Sequence, residues 1–378
     1  MSFSPTDRSA GARPLARLTA DGHEHLLVSR GRRSGAQTIV AVHSTALGPA
    51  LGGARMWRYP ALEDAVEDAL RLSAAMTLKA AVAGLPLGGG KAVIRLPEGA
   101  EPDREAVLRD FADAVNLLGG RYITAEDVGT TSADMALLAS FTDHVVGRPR
   151  AGGGSGDPGD FTAAGVLAAM RACCREVFGT PDLSGRTVAI IGLGSVGEHL
   201  ARRLAALGAR LELCDIDPAK RRLAAELGAT WRADPAQAHG AAVDILAPCA
   251  LGGLIDGRRA AELRCRIVCG AANNQLDRDD RAAGLADRGI LYAPDFIVNA
   301  GGLINVALEL TGYDLGLATR RADDIEGVLG RVLVGAREAG VTPLAAAKEL
   351  AARRLGAIGL RPGEPGAAVR RRRPADAA

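Results

Sequence analysis

Apolar residues recur along the chain at two spacings, the alternate spacing of strands and the three-to-four spacing of helices. In the first third of the chain these patterns take turns, which is typical of an α/β domain. The predicted elements are, in order, a strand over 36–43, a helix over 63–76, a glycine-rich loop over 84–90, a strand over 91–96, a helix over 103–118 and a strand over 122–125.

The segment 151–160 interrupts this pattern. Five of its ten residues are glycine and nothing in it is periodic, so it is either a linker or a loop close to a ligand. A helix over 161–178 follows, strand–turn–helix units repeat from 185 to about 293, and helical spacing dominates from 302 to about 355. We therefore predict one domain over 1–150 and a second over 151–330. We expect a disordered tail over 361–378, where proline, glycine and alanine abound.

A glycine-rich turn in the second domain has the spacing of a dinucleotide-binding site. The predicted strand 187–191 runs directly into a turn made of Gly192, Leu193, Gly194, Ser195, Val196 and Gly197, and a helix over 198–207 follows. Gly192 permits the tight turn, Gly194 lets a pyrophosphate approach the backbone, and Gly197 lets helix and strand pack closely. Free N–H groups at the helix N-terminus then bind the phosphates.

The end of the next strand indicates which cofactor fits. The predicted strand 209–214 is followed by Asp215, 23 residues after Gly192. A carboxylate there accepts hydrogen bonds from the adenosine ribose hydroxyls and repels a 2′-phosphate, so the sequence predicts NAD rather than NADP. The alternative interpretation is a glycine-rich turn followed by a helix-capping aspartate.

Composition narrows the class of protein. Apolar residues make up 48% of the chain and the net charge is +2, and no apolar run reaches the ~20 residues that span a bilayer. We expect a globular protein without a signal peptide, a nucleic-acid surface or a membrane segment. The six cysteines lack CxxC spacing, so we expect buried reduced thiols of a cytoplasmic protein rather than disulfides or a metal site.

Lysine is scarce in this chain. Of 46 basic residues only four are lysine, and two of them, Lys79 and Lys91, lie in one apolar, glycine-rich stretch. A partly buried lysine can lose its proton near neutral pH whereas arginine stays protonated, so a lysine-specific role is expected there. Two lysines brought together repel, which lowers the pKa of the more buried one. Asp127, in the same domain, supplies a carboxylate that can shuttle protons.

These residues lie in stretches that resemble the glutamate/leucine/phenylalanine/valine dehydrogenases, most closely the leucine and valine members. The resemblance runs from about His25 to Arg354. The matching stretches are HSTALGPALGGARMW (43–57), MTLKAAVAGLPLGGGKAVI (76–94), GGRYITAEDVGTTSADM (119–135), DILAPCALGG (244–253), GAANNQL (270–276) and YAPDFIVNAGGLINVALEL (292–310). The implied reaction is the reversible oxidative deamination of an L-amino acid by NAD and water to a 2-oxo acid, ammonium and NADH.

The resemblance also implies roles for single residues. Lys79 would hold the substrate carboxylate, Lys91 would be the catalytic lysine, and Asp127 would move protons to and from the substrate amine. The backbone at Gly52 and Gly53 would lie beside the substrate. The residues implied at the nicotinamide end of the cofactor are Thr162, Asn273, its neighbour Asn274, and Asn299.

At the level of the whole chain, the resemblance implies two α/β domains around a cleft. The N-terminal catalytic domain would be completed by the final helices, at about 330–360, and the Rossmann domain would bind NAD. A homo-oligomer assembled through the first domain is also implied.

The resemblance places four residues around the substrate side chain, namely Leu51, Ala125, Leu303 and Val306. All four are apolar. Glutamate-specific members have a lysine where this chain has Leu51, so an acidic substrate would lose its partner. Leu303 replaces the valine that is usual in the leucine enzymes and resembles the phenylalanine enzymes instead. We expect leucine, valine or isoleucine as substrate, with phenylalanine as the alternative.

Two other classes of function compete with this interpretation. A non-catalytic NAD-binding sensor would be expected to lack Lys91 or Asp127, and both are present. A dehydrogenase of 2-hydroxy acids would need a histidine–arginine pair in its substrate domain. His43 and His144 lie outside any such motif, and ordinary hydrogen-bonded histidines are the simpler interpretation of both.

Overall fold

The computed structural model of the chain describes residues 18–19, 21–99, 103–250, 252–253 and 255–357. The predicted tail over 361–378 lies outside these residues. The described chain forms two compact units. Unit 1 comprises the residues up to Leu78 together with 86–152, and unit 2 comprises 79–85 together with 153–357.

Unit 1 is built on a mixed sheet of five strands. Its elements are β1 (His25–Arg30), β2 (Gln37–Ser44), β3 (Ala50–Trp57), α1 (Leu62–Val82, whose last four residues count with unit 2), β4 (Gly88–Arg95), α2 (Arg104–Leu117), β5 (Tyr122–Glu126) and α3 (Ser132–Leu138). The strand order is β1-β2-β4-β3-β5. β1 and β4 pair antiparallel with β2, whereas β3 runs parallel to both β4 and β5.

The two faces of this sheet are covered by different helices. On one face Ala54, Met56, Ala92 and Ile94 join a cluster with apolar residues of α2 and α3. On the other face Val93 of β4 packs against apolar residues of α1. Side chains alternate between the two faces of a sheet along each strand. Arg55, between Ala54 and Met56 on β3, and Lys91, next to Ala92 on β4, therefore project toward the face that α1 covers.

Unit 2 contains a parallel sheet of six strands with helices between them. Its elements are α4 (Pro158–Phe178), β6 (Thr187–Ile191), α5 (Ser195–Ala206), β7 (Arg210–Cys214), α6 (Arg221–Glu226), β8 (Thr230–Trp231), α7 (Pro235–His239), β9 (Ile245–Pro248), α8 (Gly257–Glu262), β10 (Ile267–Val268), α9 (Arg281–Asp287), β11 (Leu291–Tyr292), α10 (Asp295–Val298), α11 (Gly301–Ala307), α12 (Leu315–Asp323), α13 (Ile325–Ala339) and α14 (Pro343–Gly356). Short 3-10 turns lie at Pro218–Lys220 and Leu308–Leu310 in unit 2, and at Arg150–Gly152 at the end of the 86–152 segment of unit 1.

The order of the strands in unit 2 is β11-β10-β9-β6-β7-β8. β6, the first strand of unit 2, lies inside the sheet. The chain adds β7 and β8 on one side of β6 and then β9, β10 and β11 on the other side, which is the order of the doubly wound dinucleotide-binding fold. In such sheets ligands bind beyond the carboxyl ends of the strands where the winding reverses, here between β6 and β9. The predicted α/β fold with a Rossmann sheet is confirmed.

One prediction about local structure in unit 1 is wrong, and a central strand was missed. The segment 84–90 was expected to be a loop, but β4 begins at Gly88, so the triple glycine is part of the strand. No strand was predicted over 50–57, yet β3 is a central strand of the sheet. Both errors have one cause: glycine is weak in strands on average, but it is used where another backbone approaches closely.

The final helices also differ from expectation. The resemblance implied that residues 330–360 complete the first domain, but α13 and α14 belong to unit 2. The reason is packing, since α13 contacts α4 and α14 contacts α13. Their amphipathic pattern predicted the helices but did not specify which unit their apolar faces would cover.

Candidate active site

A buried lysine and a carboxylate form an ion pair in unit 1. Lys91 lies on β4 and is 6% exposed. Asp127 follows β5, and its Oδ2 is 2.9 Å from Lys91 Nζ. β3 lies between these two strands in the sheet, so the pair forms across it. The two residues predicted to be catalytic are therefore in direct contact.

An arginine that the sequence did not single out joins this pair. Arg55 on β3 donates from Nε to the same oxygen of Asp127, Oδ2, at 3.0 Å. It also donates from Nη1 to Asp68 Oδ2 on α1 at 2.7 Å. The Tyr59 hydroxyl donates to that Asp68 oxygen at 2.6 Å. Lys91, Asp127, Arg55 and Asp68 thus form a chain of alternating charges that sums to zero.

The ionisation of the pair follows from burial and from these neighbours. Burial lowers the pKa of Lys91, and the charge of Arg55 lowers it further, while Asp127 and Asp68 oppose the shift. Burial by itself raises the pKa of Asp127, but Lys91 and Arg55 outweigh that effect and hold it below its usual range. The site therefore combines an ionised carboxylate with a lysine that releases its proton more readily than a lysine in water.

Two glycines make room for this geometry. A Cβ at Gly52 would lie 1.8 Å from the carbonyl oxygen of Gly90, next to Lys91. A Cβ at Gly53 would lie 2.5 Å from the carbonyl oxygen of Glu126 and 2.8 Å from the Cβ of Asp127. Larger residues at either position would displace the strands that carry the lysine and the aspartate.

In unit 2 the structure brings together one predicted substrate residue and two predicted cofactor residues. Lys79 Nζ donates to Asn273 Oδ1 at 3.0 Å, and Asn299 Nδ2 donates to the same oxygen at 2.9 Å. Asn299 Nδ2 also donates to the carbonyl of Ala271 at 3.0 Å. Asn299 Oδ1 is buried, and no residue that the structure describes donates to it. That oxygen is available to accept a hydrogen bond from a ligand.

The loop that carries Asn273 is stabilised by hydrogen bonds of Gln275, a residue that the sequence did not single out. Asn274 has a φ of 50°, the left-handed conformation that asparagine tolerates. Gln275 is fully buried, and its Nε2 donates to the carbonyls of Gly270 and Ala272 at 2.7 and 3.0 Å. Its backbone N–H donates to Asp295 Oδ2 at 3.1 Å. The only signal of Gln275 in the sequence was its place inside the matching stretch GAANNQL (270–276).

The glycine-rich turn has the geometry that a dinucleotide requires. Gly192 has a φ of 98°, and a Cβ there would lie 2.6 Å from the backbone nitrogen of Ala250. A Cβ at Gly197 would lie 1.9 Å from the carbonyl oxygen of Gly192, so only glycine lets α5 approach the turn. Gly194 caps α5 without a side-chain hydrogen bond and has open space beside it. The N–H groups at Ser195 and Val196 in the first turn of α5 therefore have no intrahelical partner.

The acid after β7 is already part of this turn. Asp215 Oδ2 accepts a hydrogen bond from the Leu193 N–H at 2.6 Å, and Oδ1 accepts one from the Asp217 N–H at 2.8 Å. Each carboxylate oxygen keeps a second lone pair that a ribose hydroxyl can use. Next to it Ile216 is 70% exposed, an apolar side chain with the size to cover a flat ring. These contacts fit an adenosine ribose and its base.

Of the remaining predicted residues, the four expected around the substrate side chain are buried in their own units. In unit 1 Leu51 and Ala125 are 1% and 5% exposed. In unit 2 Leu303 and Val306 of α11 are 7% and 5% exposed. Thr162 on α4 donates from Oγ1 to the carbonyl of Pro158 at 2.9 Å, and a Cβ at Gly302 would lie 2.6 Å from that Oγ1.

Further features of the described residues limit other interpretations. A cavity of about 630 Å³ in unit 2 is bordered by Arg321, Arg331 and Arg354, but no residue predicted for substrate or cofactor lines it. In the described part of the chain no three His, Cys, Asp or Glu side chains cluster as metal ligands. No helix there is long and apolar enough to cross a membrane.

A dinucleotide-binding sheet and a separate α/β unit with a buried lysine–aspartate pair define a dehydrogenase by class. Sequence comparison gives the family. Residues 24–144 match the dimerisation domain of Glu/Leu/Phe/Val dehydrogenases, and residues 215–324 match the Glutamate/Leucine/Phenylalanine/Valine dehydrogenase domain. Residues 168–248 also match the NAD-binding domain of D-isomer specific 2-hydroxyacid dehydrogenases.

Known proteins resemble the chain over nearly its whole length. Leucine dehydrogenase of Bacillus cereus is 42% identical over 89% of this chain and 92% of its own. Valine dehydrogenase of Streptomyces virginiae is 43% identical over 88% of this chain and 94% of its own. The crystal structure of L-tryptophan dehydrogenase from Nostoc punctiforme superposes with a TM-score of 0.76 at 37% identity, covering 91% and 99% of the two chains.

The chain belongs to the Glu/Leu/Phe/Val dehydrogenase family. It is an oxidoreductase, an amino-acid dehydrogenase, as its sequence predicted.

Proposed function

We propose that this protein catalyses the reversible, NAD-dependent oxidative deamination of an apolar L-amino acid. The amino acid, NAD⁺ and water give the 2-oxo acid, ammonium, NADH and a proton. The observation that carries the proposal is the contact of 2.9 Å between the buried Lys91 Nζ and Asp127 Oδ2. A buried amine next to an ionised carboxylate supplies the base and the proton shuttle that deamination requires.

The roles of the three polar residues follow from their surroundings. Lys79, held by Asn273, stays a cation and binds the substrate carboxylate. Lys91, once deprotonated, accepts a proton from the water that attacks the imine carbon of the oxidised substrate. Asp127 exchanges protons with the substrate amine and with the leaving ammonia.

The second unit is proposed to bind NAD. The amides at Ser195 and Val196 would bind the pyrophosphate, and Asp215 would bind the adenosine ribose. The free acceptor on Asn299 would receive a hydrogen bond from the carboxamide of the nicotinamide. Thr162 would also lie at that end of the cofactor. When bound, NAD⁺ accepts the hydride that leaves the Cα of the substrate.

The substrate side chain is proposed to contact Leu51, Ala125, Leu303 and Val306. A carboxylate or ammonium group buried against four apolar side chains would have no partner, so acidic and basic amino acids are excluded. Leucine, valine and isoleucine fit such a surface best. An aromatic amino acid is the alternative, because Leu303 resembles the phenylalanine enzymes and a tryptophan dehydrogenase is similar in fold.

A dehydrogenase of 2-hydroxy acids is a poorer match, although part of unit 2 resembles one. Such an enzyme would use a histidine as its acid and base. His43 is engaged elsewhere, with Nδ1 2.8 Å from Thr77 Oγ1 and Nε2 3.0 Å from the carbonyl of Asp21. Burial lowers the pKa of His43, which keeps it neutral.

A homo-oligomer in the cytoplasm is also proposed. Residues 24–144 match a dimerisation domain, and all six cysteines are free thiols, as expected in a reducing compartment. Light scattering of the purified protein tests the assembly, and a monomer would contradict it.

The function is tested by following NADH formation with each of the twenty amino acids at mildly alkaline pH. We expect the largest kcat/KM with leucine, valine or isoleucine. Lys91→Ala should fold, with an unchanged circular dichroism spectrum, but should lose turnover by about 10² to 10⁴-fold. Lys91→Arg is the matched control for charge, and we expect it to be equally inactive because arginine does not release its proton. No turnover with any amino acid, or near-normal activity of Lys91→Ala, would overturn the proposal.

A further inference from the structure

Arg55 occupies a central place in unit 1 that the proposed mechanism has not yet used. Its side chain is 20% exposed and spans two carboxylates, with Nε on Asp127 and Nη1 on Asp68. The Asp68 side chain is 14% exposed and accepts three donors, from Arg55, Tyr59 and Arg71. Asp68 is therefore a fixed point on α1 to which Arg55 ties the catalytic aspartate.

The two oxygens of Asp127 are not equivalent. Both cations, Lys91 at 2.9 Å and Arg55 at 3.0 Å, contact Oδ2. Among the described residues nothing donates to Oδ1. A carboxylate held on one oxygen by two donors has a fixed plane, so its other oxygen has a fixed direction.

We propose that Arg55 is a positioning residue of the deamination reaction: by bridging Asp127 to Asp68, it leaves Asp127 Oδ1 for the substrate amine and keeps a permanent positive charge beside Lys91. This inference rests on the proposed function. Arginine suits the task because its fork-shaped guanidinium reaches two carboxylates at once and does not titrate.

The charges around Lys91 come from three elements. β3 contributes Arg55, α1 contributes Asp68, and the segment after β5 contributes Asp127. At the end of α1 the charge of Lys79 is engaged by Asn273.

Among the described residues, the charged groups that act most strongly on Lys91 include none from β2 or β5. β2 places Ala41 opposite Lys91, and His43 near the end of that strand is neutral because burial lowers its pKa. β5 contributes Tyr122, whose hydroxyl donates to the carbonyl of Gly52 at 2.6 Å and whose pKa is raised by burial. The charge beside Lys91 is therefore set by Arg55, Asp68 and Asp127.

These charges predict opposite effects from the two partners of one salt bridge. Removing the positive charge of Arg55 stabilises protonated Lys91, which raises its pKa. Removing the negative charge of Asp68 destabilises protonated Lys91 and lowers that pKa. Loss of packing or of a salt bridge as such would move both variants in the same direction.

The experiment compares the pH dependence of kcat/KM for oxidative deamination in wild type, Arg55→Gln and Asp68→Asn, with one substrate throughout. We expect the limb on the acid side to move to higher pH in Arg55→Gln. On that limb the fraction of the plateau rate should fall roughly tenfold at a fixed pH. In Asp68→Asn the same limb should move to lower pH.

Two further variants complete the test. Arg55→Lys keeps the charge but cannot span both carboxylates, so its limb should stay near that of wild type while its plateau kcat falls. Arg33→Gln is the matched control, because Arg33 also bridges two aspartates of unit 1, Asp110 and Asp113, but contacts neither Lys91 nor Asp127. It should leave the pH profile unchanged.

Shifts of the same sign in Arg55→Gln and Asp68→Asn, or no shift in either, would overturn the role of Arg55. If Arg55→Gln does not fold, the direction of the shift in Asp68→Asn and the plateau of Arg55→Lys still decide the matter. A wild-type protein that turns over no amino acid contradicts the proposed function itself, whereas an active wild type with unshifted variants contradicts only this inference.

Discussion

Leu303 on α11 stands where the resemblance to the leucine enzymes implies a valine. It is 7% exposed, and Val306 lies one helical turn further on the same helix. Leucine is one methylene larger than valine, and a substrate side chain can occupy the volume of that methylene when it is removed. One methylene in a packed pocket changes the discrimination between substrates by about 1–3 kcal/mol.

We therefore expect Leu303→Val to favour longer side chains. The ratio of kcat/KM for leucine to that for valine should rise by roughly tenfold, which steady-state assays with both substrates measure directly. Val306→Ile is the matched change in the opposite direction and should lower the same ratio. An unchanged ratio in both variants would place the substrate side chain away from α11.

Single residues also show where prediction from sequence reached its limit. Lys91 stood out because lysine is scarce, with only four among 46 basic residues. Arg55 did not stand out, because the other 42 are arginines and its importance lies in two partners that are 13 and 72 residues away. The spacing of a motif is visible in one dimension, whereas an ion pair between β3 and α1 depends on how the strand and the helix pack.

At the scale of elements, β3 and β4 show how glycine can be misread. A strand rich in glycine lacks the alternation of apolar side chains by which strands are predicted. In the structure these glycines are what allows β3, β4 and the segment after β5 to approach, and hence what brings Asp127 to Lys91. The pattern showed that the segment was unusual, but it did not show which backbone would lie against it.

We predict that Gly53→Ala loses turnover without unfolding the protein. The new Cβ would lie within 2.8 Å of the Cβ of Asp127, so the aspartate must shift. A displacement of about 1 Å at a catalytic group costs roughly 10²-fold in rate. The variant should have a kcat reduced by that factor, with NADH binding, measured by fluorescence, unchanged.

The control for that substitution is Gly335→Ala on α13. No atom lies within 4 Å of the Cβ position there, and the residue is inside a helix. Alanine at such a site stabilises a helix by about 0.5–1 kcal/mol, so the thermal midpoint should rise slightly while kcat stays the same. A loss of activity in both glycine variants would mean that the effect at Gly53 is not local.

At the scale of the whole molecule, the lysine–aspartate pair and the glycine-rich turn lie in two different units. The sheet with the lysine–aspartate pair is mixed, and the sheet with the glycine-rich turn is entirely parallel. Their alternating patterns made both predictable as α/β structure. The allocation of α13 and α14 to unit 2 was not predictable. The pattern of an amphipathic helix shows which of its faces is buried, but it does not show which apolar surface that face packs against.

The proposed choice of NAD over NADP rests on residues of unit 2 alone, and it can be tested without any amino acid. We expect wild type to bind NADH more tightly than NADPH in fluorescence titrations. Asp215→Asn keeps an oxygen for the Leu193 N–H but loses the charge that we propose binds the ribose and repels a 2′-phosphate. A hydrogen bond to a charged group is worth about 1.5–3 kcal/mol. The ratio of the dissociation constant of NADPH to that of NADH should therefore fall toward unity, by roughly tenfold or more, in Asp215→Asn.

The matched control for Asp215 is two residues away. Asp217→Asn removes the same charge, but Asp217 accepts a hydrogen bond from the Ala219 N–H at 2.9 Å and caps a 3-10 turn. If the ribose is recognised by Asp215 itself, the ratio in Asp217→Asn should stay close to that of wild type. Equal changes in the two variants would instead mean that the general negative potential of the 215–217 loop, and not a hydrogen bond accepted by one carboxylate, selects the cofactor.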